Sequence, residues 1–210
     1  EIIFELGVLK GKFLEKVLSK VIVYIFNKTD IILAQSESYV DLIKAKVLNK
    51  NKVYYFPSWP EIIDKPEKNL DLIQNFNEDQ LKIFFTGSIG DAQNFRVIAE
   101  VINRTRNLNI KWFIIGGGRR FSELIKLKNL KNLKNLELID FLPPSEIIYY
   151  QEKADVLFLS LKNGKILSST IPGKFSTYLK YNKPILGLIS GEVKRLMMAR
   201  ILVNKPSVIL

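Results

Sequence analysis

The chain has 210 residues, 47% of them hydrophobic, enough for one well-filled core and part of a second. It contains neither cysteine nor histidine, which excludes disulfides, thiolate metal sites and imidazole acid–base chemistry. Its net charge of +11 suits a polyanionic partner, whether nucleic acid, an anionic membrane surface or a phosphorylated small ligand, and equally a lysine-rich solvated surface.

In chain order, Phe13, Leu14, Val17, Leu18, Val21, Ile22, Ile25 and Phe26 recur at helical spacing and predict a helix over 12–26, flanked by a basic edge of Lys10, Lys12, Lys16 and Lys20. No apolar run approaches the roughly 18–20 residues of a membrane span. Opening on Glu1, without an initiator Met or a basic leader, the sequence is expected to have its natural start further upstream. Ile31–Ala34 reads as a strand, Ser36 as the cap of a helix to about Lys46, and Val53–Phe56 as a second strand parallel to the first. Pro57, Pro60 and Pro66 and the polar stretch to Gln80 predict a linker over 60–80.

Beyond it strands and helices alternate: strands at 82–86, 111–115, 136–139, 155–159 and 184–188, with helices at about 91–106, 119–130, 144–153 and 172–181. Unbroken runs of Ile, Phe, Leu and Val joined by helical crossovers predict an α/β fold with a doubly wound parallel sheet in the order 3-2-1-4-5. In such sheets ligands bind beyond the carboxyl ends of the strands where the order reverses. The loops Gly87-Ser88-Ile89-Gly90 and Ser169-Thr170-Ile171-Pro172-Gly173-Lys174 are then expected to face each other.

Gly87 and Gly90 fit a phosphate-cradling loop as well as a plain strand-to-helix turn. Pro172 fits a first helical position and places Lys174 in the first turn, where a cation opposes the helix dipole unless an anion sits beside it. Gly116-Gly117-Gly118-Arg119 is not a dinucleotide fingerprint, because Phe121 occupies the third glycine's place. It suits either close approach of a nucleotide or a simple helix start. Asp155 reads as a structural cap at the start of a strand. Glu192 suits either sugar hydroxyls or a favourable helix start.

The order of several segments resembles the carboxyl-terminal domain of family 4 type glycosyltransferases of the GT-B fold, above all bacterial enzymes of polysaccharide and lipid-linked oligosaccharide assembly. These are Glu5-Leu6-Gly7, Ala34-Gln35-Ser36, Phe56-Pro57-Ser58-Trp59, Phe85 to Gly90 with Gln93-Asn94, Ile115 to Gly118, Ala154-Asp155, and Pro172-Gly173-Lys174 with Tyr178-Leu179 and Lys183-Pro184. The resemblance implies that residues 1–59 are the truncated last part of an acceptor-side Rossmann-like domain. Residues 60–80 would be the linker, and 81–210 a donor-binding Rossmann-like domain with an atypical end. It implies transfer of a hexosyl-type group from a nucleoside-diphosphate sugar, a UDP-sugar favoured, to a glycan or lipid-linked acceptor, with retention of configuration and without metal or cofactor.

By the same resemblance Lys174 carries the catalytic role, neutralising the leaving diphosphate. Gly87, Ser88, Ile89, Gly90, Asn94, Gly117, Arg119, Ser169, Thr170, Pro172, Gly173, Thr177 and Glu192 surround the donor. Two departures stand out. Ser169 and Thr177 hold positions where many members carry glutamates, and Asn182 replaces a glycine. The Met197-Met198-Ala199-Arg200 segment and the last residues do not resemble the closing helices of the fold. The expected location is cytoplasmic, with peripheral contact to anionic lipid at the inner face of the plasma membrane, and no nucleic-acid partner is expected. Three other readings remain: a degenerate fragment that at most binds a nucleotide, a nucleotide-sugar epimerase, and a basic nucleic-acid-binding domain.

Overall fold

The computed structural model of the chain describes residues 2–60, 62, 63, 77, 79–191, 194 and the backbone of 208 and 209. Most of the expected linker, Glu192 and the segment 197–200 lie outside the described residues.

A short helix α1 (Ile2–Glu5) leads to α2 (Lys12–Lys28), β1 (Ile32–Ala34), α3 (Glu37–Lys44) and β2 (Val53–Tyr55). Strands β1 and β2 pair in parallel, Ile32 beside Val53 and Ala34 beside Tyr55. Ser36 caps α3 as expected, its hydroxyl accepting from the Tyr39 amide at 3.0 Å. Under this pair Ile32, Ala34, Val40, Ile43, Val47 and Val53 form a small core. The opposite face is bare, with Leu33 58% and Tyr54 52% exposed. Helix α2 buries no residue fully, and among the described residues no helix is long and apolar enough to cross a membrane.

The larger unit runs β3 (Leu81–Thr86), α4 (Phe95–Arg104), β4 (Ile110–Ile115), α5 (Phe121–Leu130), β5 (Leu136–Ile139), α6 (Pro144–Lys153), β6 (Val156–Ser160), α7 (Gly173–Tyr178), β7 (Ile185–Leu188) and β8 (Val208–Ile209). Its strands lie in the order β5-β4-β3-β6-β7-β8, all parallel. The first five reproduce the doubly wound order expected from the sequence, and β8 is an addition at one edge.

Alternate side chains of β3 point to opposite faces and feed two cores. Ile83 and Phe85 pack with Phe95, Ile98 and Ile102 of α4 and Leu124 of α5. Phe84 packs with Tyr150 of α6 and Phe175 and Tyr178 of α7, and stacks on Phe113 at 4.4 Å between ring centroids. Asp155 fixes the start of β6 to β3: its carboxylate accepts from the Lys82 amide at 2.7 Å and lies 3.3 Å from the Lys82 ammonium.

Helix α4 begins at Phe95, not at about 91, because side chains and a neighbouring chain segment hold the intervening turn. The Gln93 side chain accepts from the Gly90 amide at 3.0 Å, and the Lys162 amide donates to the Ala92 carbonyl at 2.7 Å. Helix α7 begins at Gly173, with Pro172 as its N-cap at ψ 135° and not in the first helical position. It gives way after Tyr178 to a 3-10 turn that ends on Asn182 in the left-handed conformation, φ 45°. Asparagine is the best substitute for glycine there.

Candidate functional site

The carboxyl ends of β3, β4 and β6 converge where the strand order reverses, as doubly wound sheets require for a ligand crevice. Beyond β3 the ladder with β4 continues into the loops: the Gly87 amide donates to the Ile115 carbonyl at 2.8 Å and the Ile89 amide to the Gly117 carbonyl at 2.9 Å. The approach is so close that a Cβ on Gly116 would lie 2.0 Å from the Gly87 carbonyl oxygen, and one on Gly118 2.6 Å from that of Ile89. The glycine run after β4 is therefore explained by loop-to-loop packing.

That packing changes the expectation for the Gly87–Gly90 loop. Three of its four amides are engaged within the protein, and only the Ser88 amide has no acceptor among the described residues. Ile89, expected among the donor contacts, is fully buried in the core, and both its main-chain polar atoms are taken, the carbonyl by the Arg120 amide at 3.0 Å. It shapes the loop and has nothing to offer a ligand.

Arg119 and Arg120 converge on Asp91, whose side chain is 6% exposed: Arg120 Nε lies 2.5 Å and an Arg119 nitrogen 3.3 Å from its oxygens. The Arg120 hydrogen bond, opposed by burial and assisted by the charge of Arg119, holds the Asp91 carboxyl below its usual range. Asp91 stands out in no motif of the sequence. The available signal was an acid just after the glycines of one loop and two arginines just after those of the next.

Across from Gly87 stands Lys174. Its stem is partly exposed, but its Nζ is buried without a hydrogen-bond partner among the described residues, 3.3 Å from the centre of the Phe85 ring. A Cβ on Gly87 would meet the Lys174 Cε at 3.3 Å, so the glycine makes room for this side chain. Burial without a counter-charge pulls the Lys174 pKa down to about 7.

The ammonium borders a cavity of about 450 Å³ lined by Thr86, Gly87, Ile147, Gln151, Lys174 and Thr177, among others. Its floor is a buried polar relay. Gln151 Nε2 donates to Thr86 Oγ1 at 2.7 Å, and the Thr86 backbone amide donates to the Tyr178 hydroxyl oxygen at 3.0 Å. Burial pushes the Tyr178 phenol up to about 12, so it stays protonated. Thr86 and Tyr178 lie in segments that carry the resemblance, but neither they nor Gln151 are expected as site residues from the sequence.

The cavity thus gathers Gly87, Lys174 and Thr177. Asn94 lies apart, in a second recess of about 210 Å³ with Gln93, Arg96, Arg120 and Lys162. Ser169 and Thr170 turn their hydroxyls inward to the Lys165 and Leu167 carbonyls, at 3.1 and 2.8 Å, and shape the loop that leads to Pro172 and Gly173. Thr177 donates to the Gly173 carbonyl at 3.2 Å.

These features define an α/β protein with Rossmann-like parallel sheets and a lysine-bordered pocket at the switch point. Residues 67–165 match the family model described as Glycosyl transferases group 1. Among solved structures the chain is similar to sucrose-phosphate synthase from Thermosynechococcus elongatus, at 10% identity and TM-score 0.68, over 93% of this chain and 55% of that one. It is similar to HepE of Anabaena in complex with UDP-glucose, at 11% identity and TM-score 0.64, over 85% of this chain and 50% of that one. Likeness to TarM of S. aureus runs at 14% identity and TM-score 0.59, over 80% of this chain and 31% of that one. The chain therefore spans about half or less of those proteins, and at these identities the likeness establishes the GT-B type of fold. No curated protein sequence matches the chain.

Proposed function

We propose that the chain is the donor-binding half of a retaining glycosyltransferase. It takes a hexosyl group from a nucleoside-diphosphate sugar, a UDP-sugar by preference, to a glycan or lipid-linked acceptor. Residues 81–210 act as the donor domain, 60–80 as the linker, and 1–59 as part of the acceptor side.

The observation that carries this reading is the Lys174 ammonium, buried without a hydrogen-bond partner among the described residues, between Gly87 and a cavity of about 450 Å³. A buried cation without a partner is unfavourable, and an arriving phosphate converts it into a charge-assisted contact. The match of residues 67–165 and the fold shared with a UDP-glucose complex support the choice of ligand.

In the proposed reaction the bond between the sugar's anomeric carbon and the diphosphate oxygen breaks, and the electron pair leaves with the diphosphate. Lys174 and the Ser88 amide, which has no acceptor among the described residues, stabilise the charge that develops there. The acceptor hydroxyl oxygen bonds to the anomeric carbon on the same face, and its proton passes to the departing phosphate. Gly87 and Thr177 border the donor, while Ser169, Thr170, Pro172 and Gly173 hold Lys174 in place. Gly117 and Arg119 are assigned to the nucleoside, and Glu192, which lies outside the described residues, to the sugar.

Calorimetric titration with UDP and GDP tests the site. Saturable UDP binding that weakens about tenfold or more in Lys174→Met is expected, as for loss of one charge-assisted contact. A folded wild-type chain that binds neither nucleotide refutes the reading.

The acceptor side is proposed to seat at the inner face of the plasma membrane through α2. There Phe13, Val17, Val21 and Tyr24 are exposed beside Lys12, Lys16 and Lys20. Flotation with vesicles containing anionic lipid is expected and should fall in Phe13→Ser. Protein that stays entirely in the soluble fraction excludes the contact.

A further inference from the structure

The first sixty residues and the larger unit meet at one place in particular, the segment 164–176 that runs from the loop after β6 into α7 and delivers Lys174. The Ser36 hydroxyl donates to the Ser169 carbonyl, and the Ser176 hydroxyl donates to the Ser58 carbonyl at 3.2 Å. The strongest contact comes from Glu5. Its carboxylate accepts from the Ile166 amide, 3.0 Å from Oε1 and 3.2 Å from Oε2, and from the Leu167 amide 3.0 Å from Oε2. These amides open the 3-10 turn Leu167–Ser169, where donors lack partners within the turn. An ionised acceptor makes such bonds about twice as strong as neutral ones.

An independent feature points to the same contact. A Cβ on Gly164 would lie 2.5 Å from the Glu5 carboxyl carbon and 2.7 and 2.8 Å from its oxygens. Gly164 has no left-handed φ, so its backbone would accept any residue. A Cβ there could be seated only by displacing the carboxylate of Glu5. Downstream the restraint is passed on through short bonds, Thr170 Oγ1 to the Leu167 carbonyl at 2.8 Å and the Phe175 amide to the Pro172 carbonyl at 2.8 Å.

We propose that Glu5 is a latch: through the Ile166 and Leu167 amides it fixes the loop that presents Lys174, so that seating of the amino-terminal segment sets the geometry of the phosphate pocket. Glu5 is a positioning residue and touches no ligand. The nucleotide arm of the test rests on the donor-site reading above, and the exchange arm does not.

The experiment is hydrogen–deuterium exchange on the full chain, wild type, Glu5→Gln, Gly164→Ala and the double variant, each with a parallel UDP titration. Expected is exchange at Ile166 and Leu167 about tenfold faster in either single variant, with strands β3 and β4 unchanged as the control for folding. The double variant should be no faster than the singles, because both remove one contact. UDP affinity should fall severalfold in all three.

Unchanged exchange at Ile166 and Leu167 in Glu5→Gln overturns the latch, as does additivity of the two variants. Faster exchange with wild-type UDP affinity overturns the coupling to the pocket. If the wild type binds no UDP while the exchange pattern holds, the donor reading fails and the latch between the two parts stands.

Discussion

The six-stranded sheet and the two-stranded sheet are built from the same kind of sequence, short unbroken apolar strands joined by helices, yet they end in different states. In the first, helices cover both faces, so Phe84 and Phe85 of one strand are both at most 1% exposed although they point in opposite directions. In the second, Ala34 is buried while Leu33 is 58% exposed. Parallel strands normally have both faces covered. An apolar run therefore reports that a strand is suited to burial; what covers each face is decided by the rest of the assembly. It follows that core substitutions in the larger unit should cost far more than apolar substitutions in the smaller.

The largest effect is expected at Gly116, where the two loops of the site lock together. Its φ of 145° is strained for any other residue, and a Cβ would lie 2.0 Å from the Gly87 carbonyl oxygen. Backbone cannot yield as a side chain can. Gly116→Ala should lower stability by about 3 kcal/mol or more, read by urea denaturation, and abolish nucleotide binding with it. A loss below about 1 kcal/mol would mean that the β3 and β4 loops are not pinned to each other.

A smaller and pH-dependent effect is expected at Lys174. Its folded pKa of about 7 lies below the ordinary 10.5, so the unfolded chain binds more protons between those values. Stability should therefore rise with pH from about 7 to about 10.5, while below 7 the buried cation is destabilising throughout. Lys174→Met removes the rise and is more stable than wild type at pH 6, although it binds UDP less well. Denaturation midpoints at pH 6 and pH 9 decide it: equal slopes in the two proteins would place the ammonium in water. The opposition between stability and binding is what separates a ligand cation from a structural one.

The architecture was legible because its signals are local and repeated. Strands of Ile, Phe, Leu and Val alternating with helical periods gave the order of five strands, and Pro144 and Ala154 bracket α6 where the pattern placed it. Gly87 and Lys174 could be singled out because each breaks its surroundings, a flexible turn after a strand and a cation at a helix start. What stayed hidden are contacts made between elements. Asp91 meets Arg119 and Arg120 of the next loop, and Gln151 of α6 meets Thr86 at the end of β3. No spacing within one segment announces such partners. The late start of α4 has the same origin, since Gln93 and the Lys162 amide, not helix propensity, govern residues 90–93. Ile89 misled in the opposite sense: it lies in a ligand-type loop, but its side chain belongs to the core.

The smallest effect is expected on α2, and it tests the comparison from its weak side. Phe13 is 82% exposed, so Phe13→Ser removes almost no buried area from the folded chain. At about 25 cal/mol per Å² of apolar surface buried, an exposed ring contributes next to nothing to folding, and the change in stability should stay within about 0.5 kcal/mol. A loss of 2 kcal/mol or more would show that α2 packs in solution against a surface that buries the ring, as a second copy of the chain would. Repeating the denaturation at several protein concentrations separates that case, because stability borrowed from association rises with concentration and stability held within one chain does not.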